Sequence, residues 1–77
     1  MSKKPLNIVA KYLHENGYDI LEKRIFIVWS CYILGNRKYL VGYEGNNLYF
    51  EVTYNTQKDE WYLDVYDKID VVVINNN

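Results

Sequence analysis

The side chains in this 77-residue sequence with chemistry to offer are one histidine, one cysteine, a few carboxylates at strand-like spacing, a basic-aromatic triplet and nine tyrosines. His14 and Cys31 would form a nucleophile and base only if the fold set them within hydrogen-bond reach and gave the thiol an open, electropositive setting. Nothing in their spacing selects for that. His14 reads as an ordinary helix-surface residue, and Cys31 as a small buried apolar one. A lone cysteine allows neither an intramolecular disulfide nor a cysteine-based zinc cluster, and a lone histidine adds no ligand spacing. No metal and no cofactor are expected. Gly35, Gly42 and Gly45 are not followed by a helix, so they form no phosphate loop.

The carboxylates are more informative, because they fall in Leu48 to Tyr66, where two alternating arms flank a polar loop. Leu48, Phe50, Val52 and Tyr54 share one side of the first arm, and Tyr49, Glu51 and Thr53 the other. In the second, Trp61, Leu63 and Val65 oppose Tyr62, Asp64 and Tyr66. A period of two means a half-buried hairpin. Symmetric pairing about the Asn55–Glu60 loop sets Glu51 directly opposite Asp64, where like charges repel unless a cation or a basic partner relieves them. Such a pair could do acid–base work. No convergent acid, base and nucleophile accompanies it, so the chain is read as non-catalytic. The partner-binding candidates are Tyr49, Glu51, Thr53, Tyr62, Asp64 and Tyr66. The alternative reading is a nucleic-acid-associated protein or degenerate nuclease-like domain using the basic N-terminal half, with Arg37, Lys38 and Tyr39 as its site, whose interleaved charge and ring could hold a nucleic-acid strand; turn chemistry also accounts for these residues.

Several elements must position these groups. Pro5 suits a first helical turn and Asn16-Gly17 a stop, which predicts a helix over about 5–16. Leu6, Val9, Ala10 and Leu13 form its apolar stripe. Ile20 and Leu21 read either as a short edge strand or as packing for the connection. Ile25 to Leu34 is β-branched, aromatic and too apolar for an exposed edge, so a central or well-covered strand is expected. A turn over Gly35 to Lys38 leads to a strand over Tyr39 to Glu44, and Gly45-Asn46-Asn47 turns the chain into the hairpin. Val71 to Ile74 could supply a fifth strand, ahead of a frayed tail at 75–77. The expected fold is α+β: one N-terminal helix on a four- to five-stranded antiparallel meander over about 20–74. The core candidates are Leu6, Val9, Leu13, Ile27, Trp29, Leu40, Phe50, Val52, Trp61, Leu63 and Val65. One helix covers one face, which leaves the tyrosine-bearing face open.

Length and composition set the class. A chain of 77 residues holds one small domain, and 49% hydrophobic and 17% aromatic residues argue against disorder. Residues 1–38 carry seven Lys/Arg against three Asp/Glu, net +4, while residues 39–77 carry two against seven, net −5. The acidic half is the wrong sign for phosphate, so nucleic acid is not the expected partner. The N-terminus lacks the apolar run of an export signal. The longest dense apolar run is ten residues, Ile25 to Leu34, whereas about 20 span a bilayer. No membrane span and a cytoplasmic setting are expected.

Two family resemblances bear on function. Ala10 to Leu21 resembles the opening helix and strand of small restriction-endonuclease-like proteins. Their metal-dependent activity would need a Glu-x-Lys triplet, which reads Glu51-Val52-Thr53 here. Tyr49 to Asp70 is similar in rhythm to the paired strands of PepSY modules, which implies a regulatory or inhibitory role, commonly outside the cytoplasmic membrane. Neither resemblance carries a functional residue across. The expectation is a small protein-binding regulator or inhibitor, of a type that phages or mobile elements encode, acting through the acidic, tyrosine-rich face. Its partner would be a basic or nucleic-acid-binding protein, or a second copy in a homodimer.

Overall fold

The computed structural model describes residues 3–45, 47–70 and 72–75. It is an α+β fold in which α1 (Lys4–Glu15) lies across one face of an antiparallel sheet of β1 (Ile25–Ile33), β2 (Asn36–Tyr43), β3 (Leu48–Asn55) and β4 (Glu60–Asp67), in the order β1-β2-β3-β4. Pro5 sits in the first turn of α1, where its missing N–H costs nothing. The other end closes in a Schellman motif. Gly17, at φ +80°, donates its N–H to the His14 carbonyl (3.2 Å), and the Tyr18 N–H reaches the Leu13 carbonyl (3.0 Å). Val9, Ala10 and Leu13 are thereby held on the sheet side. Ile20 and Leu21 form no strand. Leu21 enters a single 3-10 turn (Glu22–Arg24), and its N–H is satisfied by the Tyr43 hydroxyl at 3.1 Å.

The core consists of Val9, Ala10, Leu13, Ile25, Val41, Phe50 and Val52, and the Tyr12 ring meets Phe50 edge-on at 6.0 Å. Ile27, Tyr39, Tyr43, Leu48, Trp61 and Leu63 are packed against it and half-buried. Three expected core residues are placed differently. Trp29 is 46% exposed and Val65 37% exposed, while Leu40 is half-buried on the face away from α1. The cause for Trp29 is a bulge between Ile27 and Trp29, where an extra residue, Val28, shifts the pairing from Ile27↔Val41 to Trp29↔Leu40. One inserted residue exchanges the faces of everything after it. Leu40 lies beside Val41 in an alternating strand, and Val41 is the one that meets the helix side with Phe50. Val65 shares that side, but α1 packs on β1, β2 and β3 and leaves β4 less covered.

Hydrophobicity also misleads about strand position. The run expected to be central or well covered is β1, an edge strand whose burial ends at Ile25 and Ile27. Its hairpin turn is Leu34-Gly35, with φ +49° and +80°, rather than Gly35 to Lys38, so Asn36, Arg37 and Lys38 belong to β2. Two residues of positive φ match the right-handed twist of the flanking strands. The β3–β4 loop is tied by Asn55 Oδ1, which accepts the N–H groups of Gln57 and Lys58 at 3.1 Å each. Thr56 Oγ1 donates to the Gly35 carbonyl at 2.6 Å, joining the two hairpin ends. Residues 72–75 form no fifth strand, so the sheet runs from Ile25 to Asp67; Val71 and the last two asparagines lie outside the described residues.

Candidate protein-binding face

Cross-strand partners share a face, so the register assigns every sheet residue to one side. Val41, Phe50 and Val52 fix the helix side. Three rows cross the other side: Phe26–Gly42–Tyr49–Tyr66, Trp29–Leu40–Glu51–Asp64 and Cys31–Lys38–Thr53–Tyr62. All six partner-binding candidates stand together on this open face. Tyr49 and Tyr62 are each 40% exposed and Tyr66 52%; Thr53 is buried in their midst, and Glu51 is half-buried. Glu51 faces Asp64, the pairing that symmetry about the Asn55–Glu60 loop predicts.

The group that relieves this acidic pair comes from β2. Lys38 Nζ donates to Glu51 Oε1 at 2.9 Å. That hydrogen bond, followed by the attraction of the Glu51 charge, holds the Lys38 ammonium above its ordinary pKa of 10.5, and Asp64 adds a smaller pull in the same direction. Among the described residues Asp64 makes no salt bridge. Reading Arg37-Lys38 as turn residues hides this contact. Placing the two-residue turn at Leu34-Gly35 reveals it, because Lys38 then falls on the same strand side as Leu40 and Gly42.

The open face is divided along its length. Its β3–β4 half is acidic and phenolic, whereas its β1–β2 half carries Phe26, Trp29, Ile33 and Leu40. Phe26 lies across Gly42 so closely that a Cβ there would stand 2.9 Å from its Cζ. A side chain at position 42 would displace the ring; glycine permits the contact.

The alternative site is not one patch. Alternation puts Arg37 and Tyr39 on the helix side of β2 and Lys38 on the open side. There Tyr39 stacks on Trp61 (6.3 Å), which Tyr54 also approaches (4.7 Å), and the Tyr54 hydroxyl donates to Asp59 Oδ1 at 2.6 Å. That hydrogen bond raises the Tyr54 pKa above its ordinary 10.0.

Cys31, expected inside, is exposed on the open face, because the bulge at Val28 sets its side and the edge position leaves it uncovered. His14 is an exposed helix residue 3.7 Å from Glu22. Among the described residues no cluster of three or more His, Cys, Asp or Glu side chains could hold a metal ion, and no helix is long and apolar enough to cross a membrane. A groove of about 380 Å³ between α1 and β4 is lined by Ile8, Tyr12, Glu15, Trp61, Tyr62 and Leu63 among others.

No curated protein and no solved structure matches this sequence. Residues 2–76 match one family model, and the chain therefore belongs to a family of unknown function, DUF6275.

Proposed function

We propose that this protein is a non-catalytic binding module, a small regulator or inhibitor that docks a basic protein surface against the open face of its sheet. The observation that carries this reading is the charge arrangement in the middle of that face. Glu51 is closed by Lys38, while Asp64, directly opposite Glu51, makes no salt bridge among the described residues and stands beside Tyr49, Tyr62 and Tyr66. A lysine or arginine from a partner would complete the pairing. Three rings around it supply rigid contact area and hydroxyls at little entropic cost, as interface tyrosines do. The acidic half would also speed encounter with a basic surface, including one that ordinarily binds nucleic acid.

Capture from host lysate tests this, with wild type beside the Tyr49→Ala/Tyr62→Ala/Asp64→Ala variant at low and high salt. A stoichiometric basic protein held by wild type, weakened by salt and lost with the variant, is the expected result. Circular dichroism must show the variant folded, as its three sites lie outside the core. Retention of the same protein by a folded variant, or recovery of nucleic acid instead, overturns the reading.

A further inference from the structure

The two edges of the sheet differ in a way that face binding does not explain. From Ile25 through Asn36, the whole of β1 and its turn, there is no charged side chain. Yet β1 is an edge strand nine residues long, and Phe26, Val28, Trp29, Tyr32 and Ile33 are each roughly half exposed. An edge strand presents unpaired N–H and C=O groups, and soluble proteins ordinarily protect such an edge with charge, proline or a cover. The opposite edge, β4, is protected in that way by Glu60, Asp64 and Asp67. Among the described residues the only such device on β1 is the bulge at Val28, which leaves Trp29 to Ile33 regular.

We propose that two copies of this chain pair antiparallel through β1, with the two-fold axis beside Cys31, to form one continuous eight-stranded sheet. The occupant is a second copy for three reasons. First, the register centred on Cys31 pairs every residue of the regular segment with an apolar or neutral one. Trp29 of one copy meets Ile33 of the other on the open face, twice, and Ser30 meets Tyr32 on the helix side. Second, the exposed parts of these side chains offer at most on the order of 500 Å² per copy, so about 1,000 Å² across the pair is the ceiling, the size of a weak, concentration-dependent interface. Third, the assembly closes. Both β1 edges are consumed, and the β4 edges left outside carry like charges that oppose further addition. The joined sheet has a central apolar strip flanked by two acidic tyrosine wings, so the dimer stands or falls separately from the binding role of those wings.

Light scattering and sedimentation of the full chain over a concentration series test this. Wild type is expected to move from a 9.3 kDa species to one of twice that mass and no further. Trp29→Lys/Ile33→Lys sets lysine against lysine at both cross-copy pairs and should yield monomer. Trp29→Lys/Ile33→Glu removes the same apolar area but sets opposite charges together, and should restore the pair relative to the double lysine variant. A short bis-maleimide should join two wild-type chains through Cys31, and fail to do so in the double lysine variant. A wild type that stays monomeric throughout, a larger open-ended species, a folded double lysine variant that remains dimeric, or equal dissociation of both variants would each overturn the proposal. The wild-type mass decides even where a variant does not fold.

Discussion

β1 and β4 are both edge strands of one sheet and both pair with a single neighbour, yet they present opposite chemistry to whatever approaches. β4 places Tyr62, Asp64 and Tyr66 outward, with Glu60 and Asp67 at its ends; β1 places Phe26, Trp29, Cys31 and Ile33 outward with no charge at all. Alternation tells which face a residue takes, but the charge along an edge decides what that edge can meet. An acidic edge accepts a cation and rejects its own kind, whereas an uncharged apolar edge is satisfied by another like it.

Both edges lean on the same central strands, so the largest loss is expected there. Phe50→Ala removes a fully buried ring from β3 and should cost about 3–5 kcal/mol, a large share of the stability of a small domain. Val65→Ala on β4, where α1 gives little cover, should cost less than about 1.5 kcal/mol. Urea midpoints of the two variants give the contrast; equal losses would mean that β4 is as tightly packed as the centre.

An intermediate effect belongs to the β1 side. Gly42→Ala puts a methyl 2.9 Å from Phe26 Cζ, but the ring is the half-exposed end of an edge side chain and can swing away, so the cost should be about 1 kcal/mol. Repeating the substitution in a Phe26→Leu background should abolish most of that cost. An unchanged cost there would place the clash in the backbone.

The smallest effect lies on the two inner strands, β2 and β3, and in alkali. Lys38 and Tyr54 both have folded pKa values raised above their ordinary 10.5 and 10.0, the first by its hydrogen bond to Glu51 and the second by its hydrogen bond to Asp59. A raised folded pKa favours the protonated form in the native state. The stabilisation is therefore fully present below the ordinary value and lost as pH rises past it. Stability measured by denaturant midpoint should fall above pH 10, and fall less steeply in Lys38→Met/Tyr54→Phe. Since both groups are solvent-accessible, screening keeps the difference small.

Much of this protein is legible in its local pattern. Pro5 and Asn16-Gly17 bound the helix, the alternation of Leu48 to Tyr54 and Trp61 to Tyr66 assigns inside and outside, and symmetry about the Asn55–Glu60 loop pairs Glu51 with Asp64. These are local properties, written in period, turn chemistry and strand spacing, and the candidate face follows from them. The rest depends on which strands meet. Hydrophobicity suggests a central or well-covered position for Ile25 to Leu34, but the meander puts its first strand at the edge, and no property of β1 alone reveals how many neighbours it has. The side taken by Trp29 and Cys31 depends on the extra residue at Val28, because a bulge is defined by the partner strand it fails to match. The ion pair of Lys38 with Glu51 joins residues 13 apart in sequence on adjacent strands, a contact that exists only once the Leu34-Gly35 turn has fixed which residues of β2 face outward.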